Sequence, residues 1–243
     1  MIFSESFRVP ETLYESAFTS EDHFYHGYGD AVQAMVENKP FHVAWAWRRF
    51  FRLVPARPGD RLLDVGCSTG VFMAEARRRG WTVEGSEISP SAAEMARKLL
   101  GVRVWTEPIE SAPLDLGSFN AVTGWEIVEH VPSPRAFVAR IHALLAPGGH
   151  IALSTPNWQS PWERANTDPH RQPPYHLTYW TPSTITRLLT EAGFTEVVTA
   201  RKPIAWDEEV GARAPWYAPI ALFRRVVLGQ PGNRLLVVGR KAK

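Results

Sequence analysis

From Arg61 onward, short apolar runs alternate with longer stretches whose apolar residues recur at helical spacing. The short runs are typical of buried strands, and the longer stretches of helices that cover a sheet. The pattern predicts an α/β fold built on a doubly wound, mainly parallel, seven-stranded Rossmann-like sheet. The predicted strands span residues 61–65, 82–86, 102–106, 119–125, 150–154, 195–200 and 235–241. The predicted helices between them span residues 71–79, 91–100, 134–145 and 182–192.

The part of the chain before the first strand is aromatic and compatible with helix. Helices are predicted over residues 30–37 and 41–53, because prolines stand between them and directly after the second. Residues 1–60 are therefore predicted to form an N-terminal helical cap or lid. A lid over a ligand cleft and a cap that only covers the sheet both fit this pattern. Residues 61–243 form the predicted Rossmann-like domain, with substrate-side insertions at about 155–181 and 201–232.

Composition narrows the class of protein. The chain has 243 residues, of which 44% are hydrophobic and 21% charged, and this is typical of one globular domain with additions. A net charge of +2 argues against a nucleic-acid partner. The single cysteine excludes an intrachain disulfide and favours the cytoplasm. No apolar run approaches the roughly 20 residues that a transmembrane helix needs, and the N-terminus lacks the layout of a signal peptide.

The first strand leads into a glycine-containing loop with the sequence DVGCSTG, residues 64–70. Glycine lacks Cβ, so Gly66 and Gly70 allow backbone to approach a ligand closely. The spacing Gly-x-x-x-Gly after Asp64 differs from both the dinucleotide fingerprint and the P-loop. Glu87 follows the second strand, where a carboxylate suits two ribose hydroxyls. Because carboxyl ends of parallel strands meet at one edge, these residues predict a nucleoside site there.

Four ordered segments carry a family resemblance: LLDVGCSTGVF, VEGSEIS, SFNAVTGWEIVEHV and LLAPGGHIALSTPN. In this order and spacing, over residues 61–200, the chain resembles class I S-adenosylmethionine-dependent methyltransferases. The resemblance implies that S-adenosyl-L-methionine is the methyl donor and S-adenosyl-L-homocysteine the product. It implies that Asp64 orders the amino-acid end of the cofactor, that Glu87 holds the ribose and that Ile88 packs on adenine. The full set of expected cofactor residues is Asp64, Gly66, Cys67, Ser68, Gly70, Glu87, Ile88, Ile109, Glu110 and Trp125.

Two positions depart from the family pattern. One is Asn120, where the family usually has an aspartate after the phenylalanine of the fourth strand, and no function is assigned to it. The other is Pro108, which stands where these families usually have an acid beside the adenine. Ile109 would still cover the adenine edge. Glu110 or a backbone carbonyl is expected to replace the missing acid.

The stretch WEIVEH, residues 125–130, follows the strand end that should face the methyl group. If it forms one helical turn, Glu126 shares a face with Glu129 and His130. His130, together with Glu129, is the predicted catalytic pair, because an imidazole can accept a hydroxyl proton near neutral pH. A purely structural role for these side chains stays open.

A metal site is the less favoured alternative for the same residues. The Glu-x-x-Glu-His motif is similar to that of two metal-assisted groups, the O-methyltransferases of ubiquinone synthesis and the small-RNA 2′-O-methyltransferases. The residues carried over are Glu126, Glu129, His130 and His176. Carboxylate oxygens and imidazole nitrogens suit a divalent ion.

The expected acceptor is a small molecule or a glycan, methylated at oxygen. Aromatic walls suit such ligands, and six tryptophans lie at or near the predicted acceptor side: Trp125, Trp158, Trp162, Trp180, Trp206 and Trp216. Two alternatives remain: a metal-assisted RNA 2′-O-methyltransferase, and a non-catalytic S-adenosylmethionine-binding regulatory module. A monomer or a homodimer is expected.

Overall fold

The protein is described by a computed structural model that covers residues 44–165, 167–202 and 232–243, with Ala34 and Glu37. Seven strands form one sheet in the order β3-β2-β1-β4-β5-β7-β6. Strands β1 to β5 are parallel where they pair, and β7 is antiparallel to both β5 and β6. This confirms the predicted fold class. The strands are β1 (Arg61–Val65), β2 (Thr82–Ser86), β3 (Val104–Trp105), β4 (Phe119–Trp125), β5 (Leu145–Pro156), β6 (Phe194–Arg201) and β7 (Arg234–Lys241).

Local sequence signals define several helix ends. The Ser89 hydroxyl accepts the Ala92 N–H at the N-terminus of α3, and Gly101 ends that helix at a positive φ of 63°. Thr181 and Thr184 form a capping box at the start of α6. The helices are α1 (Trp45–Leu53), α2 (Val71–Arg78), α3 (Pro90–Leu100), α4 (Pro134–Leu144), α5 (Pro161–Ala165) and α6 (Pro182–Glu191), and a 3₁₀ turn spans Pro169–Arg171.

Successive side chains of a strand point to opposite faces of the sheet, and the core therefore has two layers, one on each face. Leu62 packs in the layer that contains α1, α2 and α3, while Leu63 packs in the layer that contains α4 and α6. Helix α1 contributes Trp47, Phe50 and Phe51, whose rings pack with Phe72 of α2. The sheet is therefore covered on both faces, as a parallel sheet requires.

Three elements differ from the sequence prediction. Strand β5 begins at Leu145 rather than at residue 150, because Leu145 already pairs with Phe119 of β4. An irregularity then follows before His150 pairs with Ala121. Strand β3 has only two residues, and the predicted irregular segment at 155–181 contains α5 and the 3₁₀ turn. Most residues of the predicted helix at 30–37 and of the insertion at 201–232 lie outside the described residues. No helix in the described part is long and apolar enough to cross a membrane.

The strand order places the candidate site. Starting from β1, the chain first adds β2 and β3 on one side and then β4 and β5 on the other. The order therefore reverses between β1 and β4, and ligands of doubly wound sheets bind at the carboxyl ends of such strands. The loop after β1, Glu87 after β2 and the 126–130 stretch after β4 all leave the sheet at this edge.

Candidate active site

The loop after β1 is held tightly to the end of β2. The backbone N–H groups of Gly66 and Cys67 both donate to the Ser86 carbonyl, at 2.7 and 3.1 Å. Gly66 and Gly70 have φ values of 69° and 90°, in the region that favours glycine. Because the turn is this tight, the backbone of the loop lies directly above the end of the sheet, before α2 begins.

Glu87 joins the same loop to the start of α3. One of its carboxylate oxygens accepts the Ser68 N–H and the other accepts the Ser89 N–H, both at 2.9 Å. The residue is buried, with 7% of its surface exposed. These bonds fix the carboxylate in orientation. The position predicted to bind ribose is thus pre-organised.

Asp64 is a buried acid inside β1. Its Oδ1 accepts the Thr123 hydroxyl at 2.7 Å, and 1% of its surface is exposed. Burial raises the pKa of Asp64 from 3.8 to about 8, and the nearby Glu87 carboxylate also raises it. A positively charged ligand group at this edge would favour the ionised form, which agrees with a predicted role beside the amino-acid end of the cofactor.

The raised pKa of Asp64 predicts a pH-dependent stability. Between pH 3.8 and about 8 the folded protein holds a proton that the unfolded chain has lost, so stability falls as pH rises through this window. In the absence of cofactor, we expect the free energy of unfolding of Asp64→Asn to exceed that of the wild type. The difference should grow by up to about 1.4 kcal/mol for each unit by which the pH rises. Urea unfolding across this pH range measures the margin. Asp115→Asn, at an exposed loop position, is the control, and a margin for Asp64→Asn that does not grow with pH would contradict the prediction.

The other predicted cofactor residues differ in their surroundings. Cys67 is buried, and burial raises the pKa of its thiol, which does not favour a nucleophile. Ile88 is 43% exposed at the end of β2, where an apolar surface is available to a ligand. Ile109 is buried in the core layer with α4, while Glu110 is exposed. Trp125 packs among the rings of α1 and α2.

The turn after Pro108 is fixed by an arginine that the sequence did not single out. The Ser111 and Ala112 N–H groups donate to the Pro108 carbonyl. Arg140 of α4 donates to the carbonyls of Ile109 and Ala112, at 3.1 and 2.7 Å. Backbone groups therefore shape this turn, and the adenine contact predicted here stays a prediction.

The stretch after β4 does not form the single helical turn predicted from Glu126. Glu126 has a positive φ of 57°, which a helical turn does not allow, and it is not part of the group in which Glu129, His130 and His176 bring their ligand atoms together. Its carboxylate instead accepts the Ser154 hydroxyl at 2.8 Å and pairs with Arg234 at 2.9 Å. The turn that does form is closed by the His130 N–H, which donates to the Ile127 carbonyl.

Three of the four predicted metal residues nevertheless come together. Glu129, His130 and His176 each offer a ligand atom within 4.8 Å of the others. The two imidazole rings meet edge to face at 4.7 Å between centroids. His176 reaches this place because the N–H groups of Leu177 and Thr178 donate to the Glu129 carbonyl.

The chemical state of His130 follows from its partner. Its Nδ1 lies 2.8 Å from the Tyr175 carbonyl oxygen, which can only accept, so Nδ1 carries the hydrogen. In the neutral ring Nε2 therefore has a free lone pair. Burial lowers the pKa of His130, and it lowers that of His176 to about 3, with His130 as a second cause. Both rings are neutral at neutral pH.

Glu129 is the most unusual group of the cluster. It is 1% exposed, and its carboxylate oxygens make no hydrogen bond of normal geometry with the described residues. The Thr155 hydroxyl and the Glu129 backbone N–H nevertheless lie near enough to lower its pKa. Burial raises the pKa of Glu129 well above its ordinary value, and the nearby Glu126 carboxylate raises it further. A buried acid with so few donors is costly in its charged form unless a ligand or ion engages it.

Some residues of this site carry no signal in the sequence. Tyr175 acts through its backbone carbonyl, which any residue could supply, and Arg234 lies more than 100 positions after Glu126. Of the six tryptophans predicted at the acceptor side, Trp158 is 36% exposed and its ring centroid lies 4.3 Å from that of Tyr179. The backbone of Trp180 forms an isolated parallel β-bridge with that of Asn157. The Trp162 side chain, Trp206 and Trp216 lie outside the described residues.

The strand order, with β7 antiparallel between β5 and β6, and the glycine loop after β1 are typical of class I S-adenosylmethionine-dependent methyltransferases. The family model described as "Methyltransferase domain" matches residues 42–200, well over half of the chain. The chain therefore belongs to this methyltransferase family.

Curated relatives and solved structures agree with this class. A ubiquinone biosynthesis O-methyltransferase of Xanthomonas axonopodis pv. citri is 40% identical over 112 residues, covering 44% of this chain and 46% of that protein. One from Nitrosococcus oceani is 34% identical over 128 residues, covering 50% and 54%. The chain thus matches about half the length of these relatives. A phosphoethanolamine N-methyltransferase 2 of Haemonchus contortus, in complex with S-adenosyl-L-methionine, shares the fold with a TM-score of 0.65 at 15% identity, covering 97% of this chain and 61% of that one.

Proposed function

We propose that this enzyme transfers a methyl group from S-adenosylmethionine to a hydroxyl oxygen of a small acceptor. The observation that carries the proposal is the Nδ1–H of His130 on the Tyr175 carbonyl, which leaves Nε2 as a base beside the end of β4. The names of the curated relatives, ubiquinone biosynthesis O-methyltransferases, support oxygen as the methylated atom. The near-neutral net charge of +2 favours a small molecule over RNA.

In the proposed in-line displacement, different residues hold the methyl donor and accept the proton of the methyl acceptor. When bound, the cofactor supplies an activated methyl group on a sulfonium. Glu87 and the Gly66–Gly70 loop hold the donor, so that the acceptor oxygen can approach opposite the sulfur. The acceptor oxygen forms the new bond to carbon, the carbon–sulfur electrons go to sulfur, and the hydroxyl proton goes to Nε2 of His130.

A panel of acceptors tests the proposed function. Purified protein is incubated with methyl-labelled S-adenosylmethionine and separate pools of catechols, other phenols, sugars, primary amines and a short RNA. We expect label in an O-methylated product of the hydroxyl pools, together with S-adenosylhomocysteine. Transfer only to amines, or only to the RNA, would overturn the proposal of a small hydroxyl acceptor.

A function assisted by a divalent ion at Glu129, His130 and His176 is the second candidate, favoured by the close approach of their ligand atoms and by the burial of the Glu129 carboxylate. One carboxylate and two imidazoles are suitable ligands for zinc and similar ions. The Tyr175 carbonyl would orient His130 with Nε2 toward such an ion. A bound ion would lower the pKa of an acceptor hydroxyl and so replace the need for a free base.

Metal analysis separates the two candidates. If the ion is real, the wild type binds one zinc ion in equilibrium dialysis and His176→Gln weakens that binding by at least about tenfold. Turnover is then lost in chelator and restored by metal. His142→Gln is the control, because that ring packs on Phe194 away from the cluster. Full turnover in chelator, with no metal in the purified protein, would remove this candidate.

A further inference from the structure

Arg234, the first residue of β7, binds two carboxylates from different parts of the chain. Its Nε lies 2.9 Å from Glu126 and its Nη1 lies 3.0 Å from Glu163. Glu126 follows β4, and Glu163 belongs to α5 in the segment after β5. The planar fork of a guanidinium suits such a double contact, whereas an ammonium is a single point charge.

Glu163 is connected to His176 through Arg171 and Gln172. Glu163 is only 3% exposed, and its second oxygen pairs with Arg171 at 2.6 Å. Arg171 ends the 3₁₀ turn, and the next residue, Gln172, accepts the N–H groups of Tyr175 and His176 through its carbonyl. The ion pairs at Glu163 therefore anchor the segment that supplies the Tyr175 carbonyl and the His176 ring.

The Glu126 side leads to the other half of the cluster. Glu126 has a positive φ of 57°, which is strained for a residue with a side chain, and its contacts with Ser154 and Arg234 hold it there. Glu129 and His130 follow three and four residues later in the same turn. One arginine thus contacts both segments that carry the cluster, the turn after β4 and the segment after β5.

We propose that Arg234 is a positioning residue of the active site: by bridging Glu126 and Glu163 it sets the His130 ring against His176 and the Tyr175 carbonyl. It acts through these residues rather than on the substrate. The inference rests on the proposed function for its catalytic meaning, but the bridge itself can be tested without any acceptor.

The test compares two arginines of the same strand. Histidine Cε1–H signals are recorded by NMR in Arg234→Gln and Arg240→Gln, with S-adenosylhomocysteine present, at a fixed pH of about 8.5 so that ring position rather than protonation is read. Arg240 pairs with Glu196 at the far end of β7 and lies opposite His150. We expect Arg234→Gln to shift His130 and His176 but not His142 or His150. Arg240→Gln should shift only His150.

Unchanged His130 and His176 signals in folded Arg234→Gln would overturn the proposal, and so would equal shifts at all four histidines. If that variant does not fold, Arg234→Lys is measured instead. It keeps the charge but loses the double contact, so smaller shifts of His130 and His176 are expected. The absence of any shift at these two rings would overturn the proposal. With any acceptor found in the panel, Arg234→Gln should lower kcat by about 10²-fold at an unchanged KM for S-adenosylmethionine. An inactive wild type would defeat the proposed function alone, because the NMR comparison stands apart from it.

Discussion

Substitution of His130 by glutamine is expected to lower kcat by about 10²–10⁴-fold, the usual contribution of a general base. A glutamine amide can still donate to the Tyr175 carbonyl, so the turn should persist while the basic lone pair is lost. Binding of S-adenosylhomocysteine should stay at the wild-type level, because His130 is not part of the predicted cofactor site, which Glu87 and the glycine loop form. Steady-state turnover with the acceptor from the panel, together with titration calorimetry, measures both quantities.

His170→Gln is the matched control for this experiment. His170 lies in the nearby 3₁₀ turn, and its side chain is 71% exposed and pairs with Asp168. Its ring packs on the Tyr175 ring rather than on the Tyr175 carbonyl that holds His130. We expect its turnover to equal that of the wild type. Wild-type turnover by His130→Gln itself would show that this ring is neither base nor ion ligand, and the catalytic assignment would then be withdrawn.

Glu87→Gln is expected to weaken S-adenosylhomocysteine binding by roughly 100-fold, because two charge-assisted hydrogen bonds to the ribose are lost or weakened. The amide would also present an N–H to one of the two backbone donors, Ser68 or Ser89, that the carboxylate now accepts. The loop should therefore lose part of its pre-organisation. Titration calorimetry gives the affinity, and thermal unfolding shows whether the fold survives.

Glu84→Gln provides the comparison on the same strand. Glu84 lies three residues earlier in β2 and pairs with Arg61, away from the carboxyl edge. Its loss should leave the affinity for S-adenosylhomocysteine unchanged. Equal weakening by both variants would mean that β2 as a whole, rather than the Glu87 carboxylate, governs binding.

The parallel half of the sheet was predictable because its signals are local. Apolar runs, glycine turns and helix caps such as Ser89 and Gly101 are visible within a few residues. The placement of β7 between β5 and β6 was not predicted, because it depends on pairing between strands that are far apart in the chain. The early start of β5 was missed because a Pro-Gly-Gly sequence usually marks a loop.

The candidate site was predictable only in part, for a related reason. Glu129 and His130 were found because they adjoin a strand end, and His176 because of a family resemblance. The left-handed conformation of Glu126 could not be read from its residue type, since glutamate rarely adopts it. The bridge from Arg234 and the carbonyl of Tyr175 depend on how the 161–176 segment folds back over the sheet.

A crystal structure of the complex with S-adenosylhomocysteine tests the central claim most directly. We expect the ribose hydroxyls on Glu87, the adenine against Ile88, and the amino-acid end beside the Gly66–Gly70 loop. The sulfur should lie on the side of the cleft that faces Nε2 of His130. A ligand bound elsewhere on the protein, or a ribose that does not contact Glu87, would contradict the assignment of this edge as the methyl-transfer site.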